Sequence, residues 1–153
     1  MQGEGTLSKR TRVGRLVGVV SFVTMSLALV VQGARAAESP EDEAQEAAES
    51  WLKLVDSGQY ADSWDQAAEF FRGAITKDQW EKAMVGSRRP LGNLISRKVK
   101  TREYREQLPG APDGKYVVIQ FETVFEHKAS AVETVTPMLD PDGVWRVSGY
   151  FIK

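Results

Sequence analysis

The hydrophobic pattern of this chain changes once from a helical to a strand period, within residues 80–97. Before this segment, apolar residues recur every three or four positions, as they do on one face of a helix. After it, apolar and polar residues alternate, which is typical of strands with one buried face. Helices followed by consecutive strands predict an α+β fold.

Three helices are predicted in the first half of the chain. Ser39 is placed as an N-cap, and Gly58 lies where a glycine commonly ends a helix. Thr76 has Gln79 three residues later, which is the spacing of a capping box. The first predicted helix begins at Pro40 and is stopped by Gly58, and the second covers residues 60–71. The third is capped by Thr76 and ends at Arg89, because Pro90 follows.

Four strands are predicted in the second half, over residues 93–107, 116–126, 131–139 and 144–152. The segment Asp140-Pro141-Asp142-Gly143 has the composition of a tight hairpin turn between the last two strands. Val132 and Val135 have opposite parity, which a β-bulge would explain. In the last strand, Trp145, Val147 and Phe151 are predicted to share one face.

The order of these elements predicts three N-terminal helices packed on a four-stranded curved antiparallel meander. Cystatin-like and nuclear transport factor 2-like folds have this arrangement. The likeness is an analogy at the level of the fold, and it implies no particular activity.

The N-terminal segment has the composition of a secretory signal peptide. Basic residues at positions 9–15 precede an apolar run over residues 16–31, and Ala34-Arg35-Ala36 has small residues at the spacing of a cleavage site. We therefore predict cleavage after Ala36, a periplasmic or secreted protein, and a single α+β domain over residues 37–153. The alternative is an uncleaved N-terminal anchor in the inner membrane, although a bilayer span needs about 20 apolar residues. Membrane contact is expected only through such an uncleaved segment.

Removal of residues 1–36 would take away five basic residues and one acidic residue, which leaves a net charge of −5. A mildly acidic domain argues against nucleic-acid binding. The chain has no cysteine, so disulfides and thiolate chemistry are excluded. His127 is the only histidine, which argues against a Ser-His-Asp triad and a zinc site. We predict no catalytic residues, no metal and no cofactor, with calcium at Glu133, Asp140 and Asp142 as a weaker alternative.

Arg97 is the main candidate for chemistry. If Ile95 and Val99 face the helices, alternation along the strand turns Arg97 inward as well. A buried guanidinium must pair with a carboxylate or bind an anion, because an unpaired buried charge is costly. Two interpretations follow: an internal salt bridge, or a receptor for a carboxylate or phosphate group. The available internal partners are Asp62, Asp65, Glu122 and Glu133.

Arg88 and Arg89 either assist Arg97 or interact with the C-terminal dipole of the third helix. The tryptophans are core residues or the lining of an aromatic pocket. The row Lys98, Lys100 and Arg102 is interpreted as the solvent face of an exposed strand, with contact to anionic lipid or polymer as the alternative. The hypothetical ligand-binding residues are Arg97, Arg88, Trp64, Trp80 and Glu133.

The mature sequence resembles the bacterial exported domain-of-unknown-function family number 4019. The resemblance covers nearly all of the mature chain and implies an exported bacterial protein of uncharacterised activity. It assigns no catalytic residue. The residues that carry it are Trp51-Leu52, Leu54-Val55-Asp56, Gly58, Tyr60, Ser63-Trp64, Arg88, Pro90-Leu91-Gly92, Arg97, Leu108-Pro109-Gly110, residues 112–116, Phe125, Lys128, Glu133-Thr134, Asp142-Gly143 and residues 145–150.

Three functions are therefore considered. The favoured one is a non-catalytic exported module that binds a small anionic or apolar ligand, or an envelope protein. A small pocket enzyme of the nuclear transport factor 2-like kind, with a carboxylate as acid or base, is the second. A structural envelope-interaction protein, which would expose a large apolar patch, is the third.

Overall fold

The change from helices to strands occurs at residue 94 in a computed structural model, which describes residues 38–153. The α+β class and the antiparallel four-stranded sheet are confirmed, but four helices precede the sheet instead of three. The predicted signal peptide lies outside the described residues. Within residues 38–153, no helix is long and apolar enough to cross a membrane. The elements are α1 Pro40–Asp56, α2 Tyr60–Asp65, α3 Glu69–Ala74, α4 Lys77–Ser87, a 3-10 turn Arg89–Leu91, β1 Leu94–Arg105, β2 Tyr116–Phe125, β3 Lys128–Leu139 and β4 Trp145–Ile152.

Helix α1 begins and packs as its sequence predicts. The Ser39 hydroxyl accepts a hydrogen bond from the Asp42 backbone N–H, and the Asp42 carboxylate accepts one from the Ser39 backbone N–H. This reciprocal capping box satisfies N–H groups that have no partner within the helix. The buried face of α1 consists of Ala44, Ala48, Trp51, Leu52 and Val55.

The single helix predicted over residues 60–71 is wrong, because the chain is interrupted between α2 and α3. Ala67 and Ala68 are completely buried there, and Ala68 has an extended backbone. The Ala68 N–H donates to the carbonyl of Val147 in β4 instead of to a helical carbonyl. A contact with the sheet thus replaces a turn of helix at two residues whose helix propensity is high.

The strands pair in the order β1-β2-β3-β4, each antiparallel to the next. A bulge at Ile95 leaves this side chain 64% exposed, so the prediction that it faces the helices is wrong. Arg97 still faces the helices, because it pairs with the buried Thr123. A second irregularity, between Val99 and Thr101, changes the parity again.

This second irregularity breaks the predicted solvent-facing row of basic residues. Arg102 donates to Asp42 of α1 at 2.6 Å, whereas Lys100 lies 3.5 Å from Glu122. Arg102 therefore faces α1 and does not share a face with Lys98 and Lys100.

A register shift between β3 and β4 places Thr136 opposite Gly149 and Pro137 opposite Val147. It turns Phe151 outward, with 61% of its surface exposed, which contradicts its predicted position beside Trp145 and Val147. The same shift turns Tyr150 toward the core. Val132 and Val135 need no bulge between them, because the pairing with β2 is continuous from residue 131 to residue 135.

One hydrophobic cluster joins α1 and α4 to the inner face of the sheet. Aromatic rings dominate its centre: Trp80 lies 5.8 Å from Trp51 and 5.0 Å from Phe71, measured between ring centroids. Tyr150 of β4 lies 5.4 Å from Trp51 in an edge-to-face arrangement. Such pairs add specific geometry to the burial of apolar area.

Candidate functional site

Arg97 lies between two carboxylates. Its Nη1 and Nη2 donate to both oxygens of Asp56 at 2.7 and 3.0 Å, and Asp56 is the last residue of α1. Its Nε and Nη2 donate to both oxygens of Glu133 in β3 at 2.6 and 3.1 Å. The side chain of Arg97 is 11% exposed and that of Glu133 is 0% exposed. Bidentate pairing on two sides takes up nearly all the donors of one guanidinium.

Both oxygens of Glu133 have a further donor. Thr123 Oγ1 donates to Oε2 at 2.6 Å, and the Tyr150 hydroxyl donates to Oε1 at 2.5 Å. With Arg97, these donors give this buried carboxylate four hydrogen bonds. Such a satisfied carboxylate is the form in which a buried charge is tolerated.

Arg88 completes the network from the end of α4. Its Nη2 donates to Asp56 at 3.1 Å and its Nη1 to the carbonyl of Gly92 at 2.7 Å. The guanidinium carbon lies 4.2 Å from the ring centroid of Phe125, in a cation–π contact. Gly92 has φ +77°, and a Cβ there would lie 2.9 Å from Cβ of Glu126, so the turn that presents this carbonyl requires glycine.

We call the set Asp56, Arg88, Arg97 and Glu133, with Thr123 and Tyr150, the ion network. Burial favours the neutral form of Arg97, but hydrogen bonds and charge from Asp56 and Glu133 outweigh it and raise its pKa. Burial, followed by the charge of Glu133, raises the pKa of Tyr150. Two guanidinium groups balance two carboxylates, so the network is electrically closed.

The structure brings together Arg88, Arg97 and Glu133 of the five predicted site residues. Trp80 is next to the network, with its ring centroid 6.3 Å from that of Tyr150. Trp64 is elsewhere: its Nε1 donates to the carbonyl of Ile75, and Lys77 Nζ lies 5.3 Å from its ring. The ligand-binding role of these residues stays a prediction.

Of the internal partners predicted for Arg97, only Glu133 binds it. Asp65 pairs with Lys77 at 2.7 Å, and Glu122 lies 3.5 Å from Lys100. Asp62 is exposed on α2. Asp56 and Tyr150 were not predicted. Asp56 ends a helix and is not marked by periodicity, and Tyr150 faces inward only because of the register shift in β4.

A second candidate site is a cleft of about 580 Å³ between α1, the α2–α3 segment and the β3–β4 hairpin, which we call the hairpin cleft. Trp51, Trp145 and Val147 form its apolar part. Its charged side chains are Asp65, Glu69, Arg72, Asp140, Asp142 and Arg146.

The hairpin contributes three of these charges. Arg146 donates to both oxygens of Asp142 at 2.9 and 2.8 Å and to Oδ2 of Asp140 at 3.0 Å. The hydrogen bond with Arg146, followed by that with the Val144 N–H, lowers the pKa of Asp142. Asp140 is only 6% exposed, and its Oδ1 has no hydrogen-bond partner among the described residues.

A larger depression, of about 890 Å³, lies along the β1–β2 connector between Tyr104 and Lys115. The residues that line it are exposed or half-buried, and they include no tryptophan. The hairpin cleft is therefore the better candidate, because its wall includes buried aromatic and charged side chains.

The calcium alternative finds no support in the geometry. Glu133 belongs to the ion network, whereas Asp140 and Asp142 share Arg146. Within residues 38–153, no group of three or more His, Cys, Asp or Glu side chains is arranged to hold a metal ion. His127 lies in the turn between β2 and β3 and is exposed.

Comparison with protein families agrees with the resemblance. Residues 47–150 match the model of the family described as Protein of unknown function (DUF4019). The matched segment contains all members of the ion network and all the charged residues named for the hairpin cleft. No curated protein and no solved structure matches the chain. The likeness to cystatin-like or nuclear transport factor 2-like folds therefore stays a prediction from element order.

Proposed function

The chain belongs to the DUF4019 family, and on that premise we propose that it is an exported, non-catalytic binding module with its ligand in the hairpin cleft. The observation that carries the proposal is the character of that cleft. A volume of about 580 Å³ is within the range of small-molecule sites, and the wall combines buried tryptophans with charged groups.

The pocket-enzyme alternative requires Arg97 to hold an anionic substrate. Asp56 and Glu133 occupy its donors with four hydrogen bonds, so an anion would have to displace buried carboxylates. Glu133 accepts hydrogen bonds from three side chains, which engage both of its oxygens and leave neither free to act on a substrate. The ion network therefore supports a structural role for Arg97.

The envelope-interaction alternative predicts one large exposed apolar patch. The exposed large apolar side chains are distributed over α4, the two edge strands β1 and β4, and the β3–β4 hairpin: Val85, Ile95, Val99, Val144 and Phe151. Single exposed apolar residues of this kind are normal on soluble domains. No observation favours this alternative over the binding module.

Export is the second part of the proposal. The basic, apolar and small-residue regions of positions 1–36 support a signal peptide cleaved after Ala36 and a periplasmic location. The absence of cysteine means that the domain depends on packing and on its ion pairs, and not on disulfides, in an oxidising compartment.

Native mass spectrometry of the protein isolated from its own periplasm tests both parts. We expect an intact mass that begins at residue 37, with a bound small molecule. Ser50→Trp, at an exposed position in the cleft wall, should abolish the bound species by filling the cleft. Lys53→Trp, an exposed position of the same helix outside the cleft wall, should retain it.

Three results would contradict the proposal, two of them its binding part and one its export part. A wild-type protein without any bound species would remove the binding function, and a bound species that survives Ser50→Trp would place binding elsewhere. An intact mass that includes residues 1–36 would contradict cleavage.

A further inference from the structure

We propose that the hairpin cleft binds a small organic cation, an ammonium or guanidinium group on an apolar stem, with Asp140 as its anchor. This inference rests on the proposed binding function and assigns the ligand class to the same cleft. Asp140 is a buried carboxylate, and one of its oxygens accepts no hydrogen bond from the described residues.

Asp140 is incompletely satisfied. Its side chain is 6% exposed, and Oδ2 accepts one hydrogen bond from Arg146 at 3.0 Å. Oδ1 has no donor among the described residues. Buried carboxylates normally have donors for both oxygens, so this exception calls for an explanation. Asp140 is part of the cleft lining, and what it lacks is an N–H or O–H donor to the buried Oδ1.

Arg146 does not supply the missing charge. It makes two hydrogen bonds to Asp142 and one to Asp140, so one guanidinium is shared by two carboxylates. The hairpin therefore has one uncompensated negative charge. Arg146 can keep its contacts with Asp142 and with Oδ2 of Asp140 while a ligand N–H donates to Oδ1.

The opposite wall adds one acidic and one basic side chain, Glu69 and Arg72, so the negative surplus of the hairpin is not offset there. The side chain of Glu69, the first residue of α3, is exposed and makes no ion pair within residues 38–153. Asp65 is compensated by Lys77, and Arg72 is the one remaining cation of this wall. An anionic ligand would find Arg72 but would also meet Glu69 and the hairpin carboxylates. A cation meets the more favourable potential.

The apolar part of the cleft suits the stem of such a ligand. Trp51 and Trp145 are buried beneath the charged rim, and Val147 lies beside them. Tryptophan faces also attract cations. An aliphatic ammonium or guanidinium compound thus matches the acidic rim and the apolar floor together.

The decisive experiment compares three five-carbon probes whose end groups are cationic, neutral and anionic. The periplasmic protein is titrated with cadaverine, 1,5-pentanediol and glutarate, and the tryptophan indole N–H signals are followed by NMR. We expect saturable shifts of the Trp145 signal with cadaverine, and none with pentanediol or glutarate at the same concentrations. Nα-acetyl-lysine amide, which represents a lysine side chain of a protein, is titrated in parallel. Comparison with cadaverine distinguishes a free amine from a basic side chain as the source of the cation.

Variants locate the anchor. Asp140→Asn should weaken cadaverine binding by roughly tenfold or more, since hydrogen bonds to charged groups are the strong ones. Glu69→Gln, on the exposed opposite wall, should weaken cadaverine binding by a smaller factor. This variant provides the test if Asp140→Asn does not fold. Asp113→Asn, an exposed carboxylate outside the cleft wall, should leave binding unchanged.

The outcomes separate this inference from the proposed function. Binding of glutarate or pentanediol that Ser50→Trp abolishes would overturn the cation assignment and leave the binding module intact. Cadaverine binding unaffected by both Asp140→Asn and Glu69→Gln would also overturn it. If none of the probes binds and the isolated protein holds no small molecule, the binding function itself fails.

Discussion

The ion network and the hairpin are built from the same chemistry, arginine shared between two carboxylates, but they differ in balance and position. In the network, Arg88 and Arg97 face Asp56 and Glu133, and these four side chains are buried or nearly so. In the hairpin, one arginine serves two carboxylates, and one of those is exposed. We infer that the closed set of buried charges fixes structure, whereas the unbalanced set at the cleft serves the proposed binding function.

The two regions also differ in what they connect. The network joins the end of α1, the end of α4 and strands β1, β2, β3 and β4 through the side chains of Asp56, Arg88, Arg97, Thr123, Glu133 and Tyr150. The hairpin group joins residues no more than six apart in sequence. Disruption of the network should therefore affect the whole domain, and disruption of the hairpin group only one end.

Arg97→Met should produce the largest effect. It leaves the buried Glu133 charge without a cation, and breaking a buried ion pair by removing one partner costs about 3–5 kcal/mol. The free energy of unfolding from urea denaturation, followed by tryptophan fluorescence, gives the measurement.

The matched control is the double variant Arg97→Met/Glu133→Gln. It leaves Arg88 paired with Asp56, and the amide oxygen of the introduced glutamine side chain still accepts from Thr123 or Tyr150. This variant should be more stable than Arg97→Met alone, because no uncompensated charge is buried. If Arg97→Met leaves the unfolding free energy unchanged, the network does not hold the fold together.

Arg146→Met is the corresponding change in the hairpin, and its effect should be smaller. Loss of Arg146 leaves the buried Asp140 without its one donor, at a cost of about 1–3 kcal/mol. Asp142 is exposed and solvated, so its loss of partner adds little. The same urea experiment measures the difference. A cost equal to that of Arg97→Met would remove the distinction between the two regions.

Some of this arrangement could be predicted from the sequence, and the reasons differ from residue to residue. The capping boxes at Ser39 and Thr76 depend on neighbours three residues away, and both form. Arg97 was predicted to face inward on the assumption that Ile95 does too. Arg97 faces inward, but Ile95 does not, because a bulge separates them.

What could not be predicted depends on register and on distant contacts. Tyr150 reaches Glu133 because of the register shift opposite Thr136, and strand parity alone places it on the outer face. Asp56 meets Arg97 from 41 residues away, which no local pattern indicates. A signal was nevertheless available, since Asp56, Arg97, Glu133 and Tyr150 all belong to the motifs that carry the family resemblance.

Alkaline pH offers a third test of the network, through Tyr150. Its pKa is raised by burial and by the charge of Glu133, so the folded protein keeps a proton that the unfolded chain releases above about pH 10. The stabilisation of the fold by protonated Tyr150 is complete below about pH 10. As the pH rises further, the free energy of unfolding falls by about 1.4 kcal/mol per pH unit. Urea unfolding between pH 9 and 11 measures this slope for the wild type and for Tyr150→Phe. The variant should have the shallower slope, and equal slopes would show that Tyr150 titrates normally.

Glu69→Gln should produce the smallest change in stability and therefore sharpens the comparison most. Glu69 is exposed and makes no ion pair among the described residues, so the free energy of unfolding of this variant should stay within about 0.5 kcal/mol of wild type. An unbalanced rim predicts a residue of this kind: its replacement leaves the fold intact but weakens the binding of a cation. Circular dichroism and urea unfolding establish the first property, and the cadaverine titration establishes the second. A large loss of stability would mean that Glu69, like the ion network, is occupied in holding the fold, and that the two regions differ only in degree.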